Sequence, residues 1–167
     1  MAKSNIKVAL VHDWFLSNSI SGAENVTFKL DKYISENFSI PDLYSLTENI
    51  SKSNIKIFSD RNINTSFLQK LPFGPDNIQK YLMLIPFAIE QLNLNKYDLI
   101  ISSSHIAAKG VLSSPDQLHI SYIHTPMRYA WDQMNTYIEN SIYKKIGMEI
   151  PLRYILFKLR EWDFISG

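Results

Sequence analysis

The chain has 167 residues, 46% hydrophobic and 20% charged, with a formal net charge of +1 and no cysteine. That length suits one domain able to bury roughly 70% of its unfolded surface. Near-neutral charge excludes a bulk electrostatic pull on nucleic acid. The missing thiols exclude a disulfide framework and a thiolate metal site, and fit a reducing cytoplasm.

Residues 6–11 are a nearly continuous apolar run with β-branched members, as expected of a strand buried on both faces. The run ends at His12 and Asp13. Ser21 to Glu24 then opens a helix whose Val26, Leu30, Tyr33 and Ile34 are expected to share the buried face. Residues 42–46 and 55–58 read as short strands, and residues 71–75, with two prolines and a glycine, as a turn. From Asp76 the spacing of Ile78, Leu82, Ile85, Ile89 and Leu92 predicts a helix that Pro86 should kink or split. The longest apolar run, residues 81–89, includes Pro86 and is too short to span a bilayer.

Residues 97–102 predict another buried strand, ending in Ser103, Ser104 and His105. A further buried strand covers residues 118–123, includes Ile120, and runs into His124 and the strand-stopping Pro126. Helical patterns occupy residues 128–140 and 151 to the end, with Pro151 in a first turn. Strands alternating with helices indicate an α/β fold with a parallel, doubly wound sheet. The last helix is still running where the chain stops, and such folds usually place a strand next. A chain that ends short of its domain is therefore expected, with an apolar strip exposed on the cleft side or beside that helix.

Three histidines, His12, His105 and His124, fall at carboxyl ends of these strands, the edge where open α/β sheets bind small molecules. Each alone could simply cap a strand, but the triple coincidence favours a polar site. A three-histidine zinc site is a weaker alternative, because no short ligand spacing such as H-x-H is present. Ser21 to Glu24 reads first as a helix capping box and second as a phosphate-approachable helix N-terminus at Gly22 and Ala23. With no G-x-G-x-x-G pattern, a dinucleotide cofactor is unsupported. Lys109 is either a cation for an anionic ligand or a solvated side chain. The basic, aromatic-rich final third (Lys144, Lys145, Arg153, Lys158, Arg160) suits a membrane surface or the wet side of a helix. Tyr129, Trp131 and Tyr137 suit sugar stacking or helix packing.

Several strings occur in one order: residues 8–14 with His12-Asp13-Trp14, then Gly22-Ala23-Glu24, residues 97–105, Ala108-Lys109-Gly110, and His124-Thr125-Pro126-Met127-Arg128-Tyr129-Ala130-Trp131-Asp132. Together they resemble the N-terminal half of bacterial family 4 glycosyltransferases that build surface polysaccharides. The resemblance covers essentially all of residues 1–167. It implies a Rossmann-like N-terminal domain of a GT-B fold, which mainly holds the acceptor, facing a second domain that holds the nucleotide sugar. It implies retaining sugar transfer, with the nucleotide sugar as co-substrate and neither cofactor nor catalytic metal. Gly22 and Ala23 would lie by the donor phosphates, and His124 at the catalytic centre. His12, Asp13, His105, Lys109, Arg128, Tyr129 and Asp132 would serve the acceptor side. The implied partners are the donor, a glycan or lipid-linked acceptor and a peripheral contact at the inner membrane face, with no nucleic acid.

Two departures stand out. Ser21 replaces the first glycine of the family's Gly-Gly-Ala-Glu. No two glutamates here are eight positions apart, although the family's second domain carries such a pair together with cations for the leaving diphosphate. Leaving-group stabilisation is a large catalytic contribution, so residues 1–167 alone are expected to be a poor catalyst. The competing classes are a non-catalytic glycan- or partner-binding module and, less favoured, a zinc hydrolase.

Overall fold

The computed structural model describes residues 6–15, 21–50, 58 and 61–167. Its strands are β1 (Val8–Phe15), β2 (Asp42–Glu48), β3 (Ile63–Thr65), β4 (Leu99–Ser104) and β5 (Leu118–Ile123). All pair in parallel, in the spatial order β3-β2-β1-β4-β5. The chain winds outward from β1 to β3, then crosses back to place β4 and β5 on the other side of β1. This is a Rossmann-like doubly wound α/β fold, and its strand order reverses between β1 and β4. Ligands of open α/β sheets bind at such a reversal, beyond the carboxyl ends of the strands.

β1 is buried along all eight residues because it pairs on both sides. It runs further than its apolar run suggested: pairing of His12 with Ser45 and of Phe15 with Glu48 carries the strand past His12 and Asp13. Both residues therefore sit inside β1 and not after it. β3 had no apolar signal of its own. Of the strand expected over residues 55–58, positions 55–57 lie outside the described residues.

Helix α1 (Gly22–Asn37) starts at Ser21 with a complete capping box. Its buried face differs from the expected one. Tyr33 is exposed, Val26 and Leu30 are half-buried, and Glu24, Thr27, Asp31 and Ile34 are buried. The face turns inward on polar residues because they find partners: Thr27 bonds Ser103, and Asp31 takes two hydrogen bonds from Arg61.

The helix expected from Asp76 is split, as Pro86 requires. Residues 78–84 form a 3-10 segment, and α2 (Ile85–Glu90) begins with Pro86 in its first turn. Helicity expected over residues 128–140 is confined to α3 (Met134–Asn140), followed by α4 (Ile142–Lys145); residues 128–133 turn without forming a helix. They are pinned instead by tertiary bonds, with Arg160 donating to the Ala130 carbonyl and Trp131 to Asp163. α5 (Glu149–Ile165) has Pro151 in its first turn. No helix among the described residues is long and apolar enough to cross a membrane.

One face of the sheet packs Val8, Leu10 and Leu43 against Ile34 of α1 and Phe58. The other packs Ala9, Val11 and Ile100 against Leu82, Ile85 and Ile89 and against Leu156 of α5. Gly110 matters here, because a Cβ at that position would lie 2.3 Å from the Trp162 ring of α5. β5 corrects the expectation of a buried strand: Ile120 is 49% exposed, and Leu118 and Tyr122 on the same face are also exposed. An edge strand is paired on one side only, and no described helix covers this stretch.

Candidate functional site

A cleft of about 610 Å³ opens at the carboxyl ends of the strands, at the β1/β4 reversal. His12 from β1, His105 just after β4 and His124 just after β5 all line it, so the sheet brings the three imidazoles to one edge. Ser21, Gly22 and Ala23 at the start of α1 form one wall, and Arg128 and Tyr129 another.

His12 and His124 are joined by a hydrogen-bonded chain that the sequence reading did not single out. His12 Nδ1 lies 2.8 Å from the Ser103 carbonyl and 3.2 Å from Thr27 Oγ1. A carbonyl can only accept, so Nδ1 carries the proton and Nε2 is left as an acceptor. That Nε2 is buried and has no partner among the described residues. Thr27 Oγ1 and Ser103 Oγ lie 2.8 Å apart, and Ser103 Oγ stands 2.9 Å from His124 Nε2. Thr27 also back-bonds to the Ala23 carbonyl, coupling the start of α1 to the same chain. Burial pushes His12 down to about 4, so it is neutral at physiological pH. Burial lowers His124 as well, and the charge of His105 adds to that shift.

His105 differs from the other two. Burial draws its pKa down, but the charge and contact of Asp13 together outweigh burial and leave it raised. Its Nδ1 lies 2.8 Å from Asp13 Oδ2. Burial would raise the Asp13 carboxyl, yet the charge and hydrogen bonding of His105 hold it well below the usual range. Asp13 also accepts backbone N–H bonds from His105, Ile106, Ala107 and Ala108 at 2.6–3.0 Å. It is fully buried beneath the cleft, where it anchors the loop that carries His105.

The remaining expected site residues divide between cleft and scaffold. Arg128 lines the cleft, with Nε 3.4 Å from exposed Asp132, which itself does not line it. The Tyr129 hydroxyl is buried without a partner among the described residues, and burial foremost raises its pKa. Lys109 is turned away, bonded to Asp163 Oδ1 at 3.1 Å and to the Asp163 carbonyl. Gly22 and Ala23 lie on the cleft wall, and nothing stands within 4 Å of a Cβ built on Gly22. Among the described residues, no group of three or more His, Cys, Asp or Glu side chains is placed to hold a metal ion.

Thr27 and Ser103 escaped notice because helix faces and buried strands are read by apolar residues. Their signal was polar: hydroxyls at 102–104 in a strand otherwise apolar enough to be buried. The arrangement presents a neutral imidazole at His124 to the cleft, backed by two buried polar atoms, His12 Nε2 and the Tyr129 hydroxyl, that have no partner among the described residues. No family model matches this chain, and neither a curated protein nor a solved structure matches it.

Proposed function

We propose that this chain is the acceptor-side, N-terminal half of a retaining, GT-B-type glycosyltransferase that moves a hexose from a nucleotide sugar to a glycan or lipid-linked acceptor. The observation that carries the reading is the convergence of His12, His105 and His124 on one cleft beside the N-terminus of α1. His124 hydrogen-bonds a hydroxyl of the transferred sugar, held in orientation by Ser103. The bond from the anomeric carbon to the leaving diphosphate breaks, and the acceptor oxygen bonds that carbon on the same face. The acceptor proton passes to a leaving phosphate oxygen, so no histidine has to act as general base. Gly22 and Ala23 lie along the donor phosphates, where exposed amides at a helix start favour an anion. Membrane contact belongs to the same reading, supported by exposed Ile150, Tyr154 and Phe157 beside Lys158.

Arg128 is the one Lys or Arg lining the cleft among the described residues. A departing diphosphate needs more positive charge than that, so the reading assigns those cations to a facing nucleotide-sugar domain. The same shortage favours the second reading, a glycan-binding module without catalysis. Membranes from the producing cell, with and without the gene, separate the two when supplied with radiolabelled nucleotide hexoses. Loss of hexose transfer on deletion, restored by the gene, is the expected result. Unchanged transfer of every hexose tested contradicts the enzyme reading.

A further inference from the structure

A second groove, about 450 Å³, lies beside the histidine cleft, with Tyr129 lining both. Its other walls come from Gln133, Thr136, Tyr137, Asn140 and Tyr143, on and around α3 and the start of α4. The volume falls within the roughly 300–1,000 Å³ of small-molecule sites. Among the described residues, no charged side chain lines it. Tyr129 and Tyr137 stand with ring centroids 5.5 Å apart and tilted, leaving flat apolar surface between hydroxyl and amide groups.

The polar groups here are available. Gln133 and Thr136 are exposed, and neither side chain has a hydrogen-bond partner among the described residues. Beneath them the Tyr129 hydroxyl is buried, with no partner among the described residues. The platform beneath is fixed: Met127, Ala130 and Ile138 are buried in the core, and Arg153 of α5 donates to Asn135. Tyrosine faces, uncharged donors and acceptors and a rigid floor suit a ligand with apolar C–H faces and many hydroxyls. Phosphates and acidic sugars find no cation in this groove.

We infer that the Tyr129–Tyr143 groove is a binding site for an uncharged oligosaccharide, whose terminal residue reaches past Tyr129 into the histidine cleft. The inference rests on the sugar-transfer reading only in naming that oligosaccharide as the acceptor. Tyr137 and Tyr143 stack against ring faces, while Gln133, Thr136 and Asn140 bond hydroxyls.

The test titrates the 167-residue protein, followed by amide NMR, with neutral trisaccharides of glucose, galactose, mannose and N-acetylglucosamine. At least one should shift amides of residues 133–143. Tyr137→Ala should weaken that binding about tenfold, whereas Tyr137→Phe retains most of it. Exposed Thr136→Ala and Gln133→Ala leave the fold intact and should each weaken binding several-fold, so the answer survives if Tyr137→Ala fails to fold. Shifts confined to other surfaces, or no binding by any of the four at about 10 mM, overturn the inference. Binding in the groove without nucleotide-sugar-dependent transfer removes the transfer reading and leaves the groove standing. Hexose transfer whose acceptor KM is unchanged by Thr136→Ala and Gln133→Ala removes the groove alone.

Discussion

Asp13 lies buried beneath the cleft and shapes it through the backbone it holds. Its fully buried carboxylate holds four backbone amides and faces the partly exposed His105. Asp13→Ala strands those amides and the imidazole, and breaking a buried charged pair of this kind costs about 3–5 kcal/mol. Urea denaturation should register that loss; a change under 1 kcal/mol would mean that the anchoring role is wrong. His12 carries a pH signature of its own. In the unfolded chain it binds a proton near pH 6.5, but in the fold only near pH 4. Between those values the unfolded state holds the extra proton, so stability falls by about 1.4 kcal/mol per pH unit as pH drops, roughly 3 kcal/mol in all. His12→Asn should lack this slope. Parallel stability-against-pH curves for the two proteins would show that His12 is not held neutral.

At the level of elements, the clearest sequence signals were those that burial enforces. β1 and β4 were legible because strands paired on both sides must be apolar, and the Pro86 break followed from the missing amide. α1 was legible in position but not in facing, because its inward positions Thr27 and Asp31 are polar and only their partners make them core residues. Turns at residues 128–133 resembled a helix because Met127, Ala130 and Met134 repeat at helical spacing, although Trp131 and Arg160 bonds set the path. β5 was read as buried from the same apolar content that fills β1, and only its edge position decides otherwise. Ile120→Thr keeps a β-branched residue on that edge and should change stability by less than about 0.5 kcal/mol. A loss above 2 kcal/mol by urea denaturation would restore the buried assignment.

For the molecule as a whole, the doubly wound order and the three-histidine edge were legible together, because strand-end position follows once the sheet is parallel. What sequence could not supply was the wiring between histidines 112 positions apart, since Ser103 and Thr27 meet only through the packing of α1 on β1 and β4. The central claim is that His124 acts on the sugar in this cleft. Its most direct test measures hexose transfer from nucleotide sugar in membranes from cells carrying His124→Ala, with His119→Ala as control. His119 bonds Ser102, a position that alternates with Ser103 across the sheet, and it does not line the cleft. His124→Ala should lower transfer about 100-fold or more, with His119→Ala near wild type. Wild-type transfer by a folded, equally abundant His124→Ala protein would contradict the account.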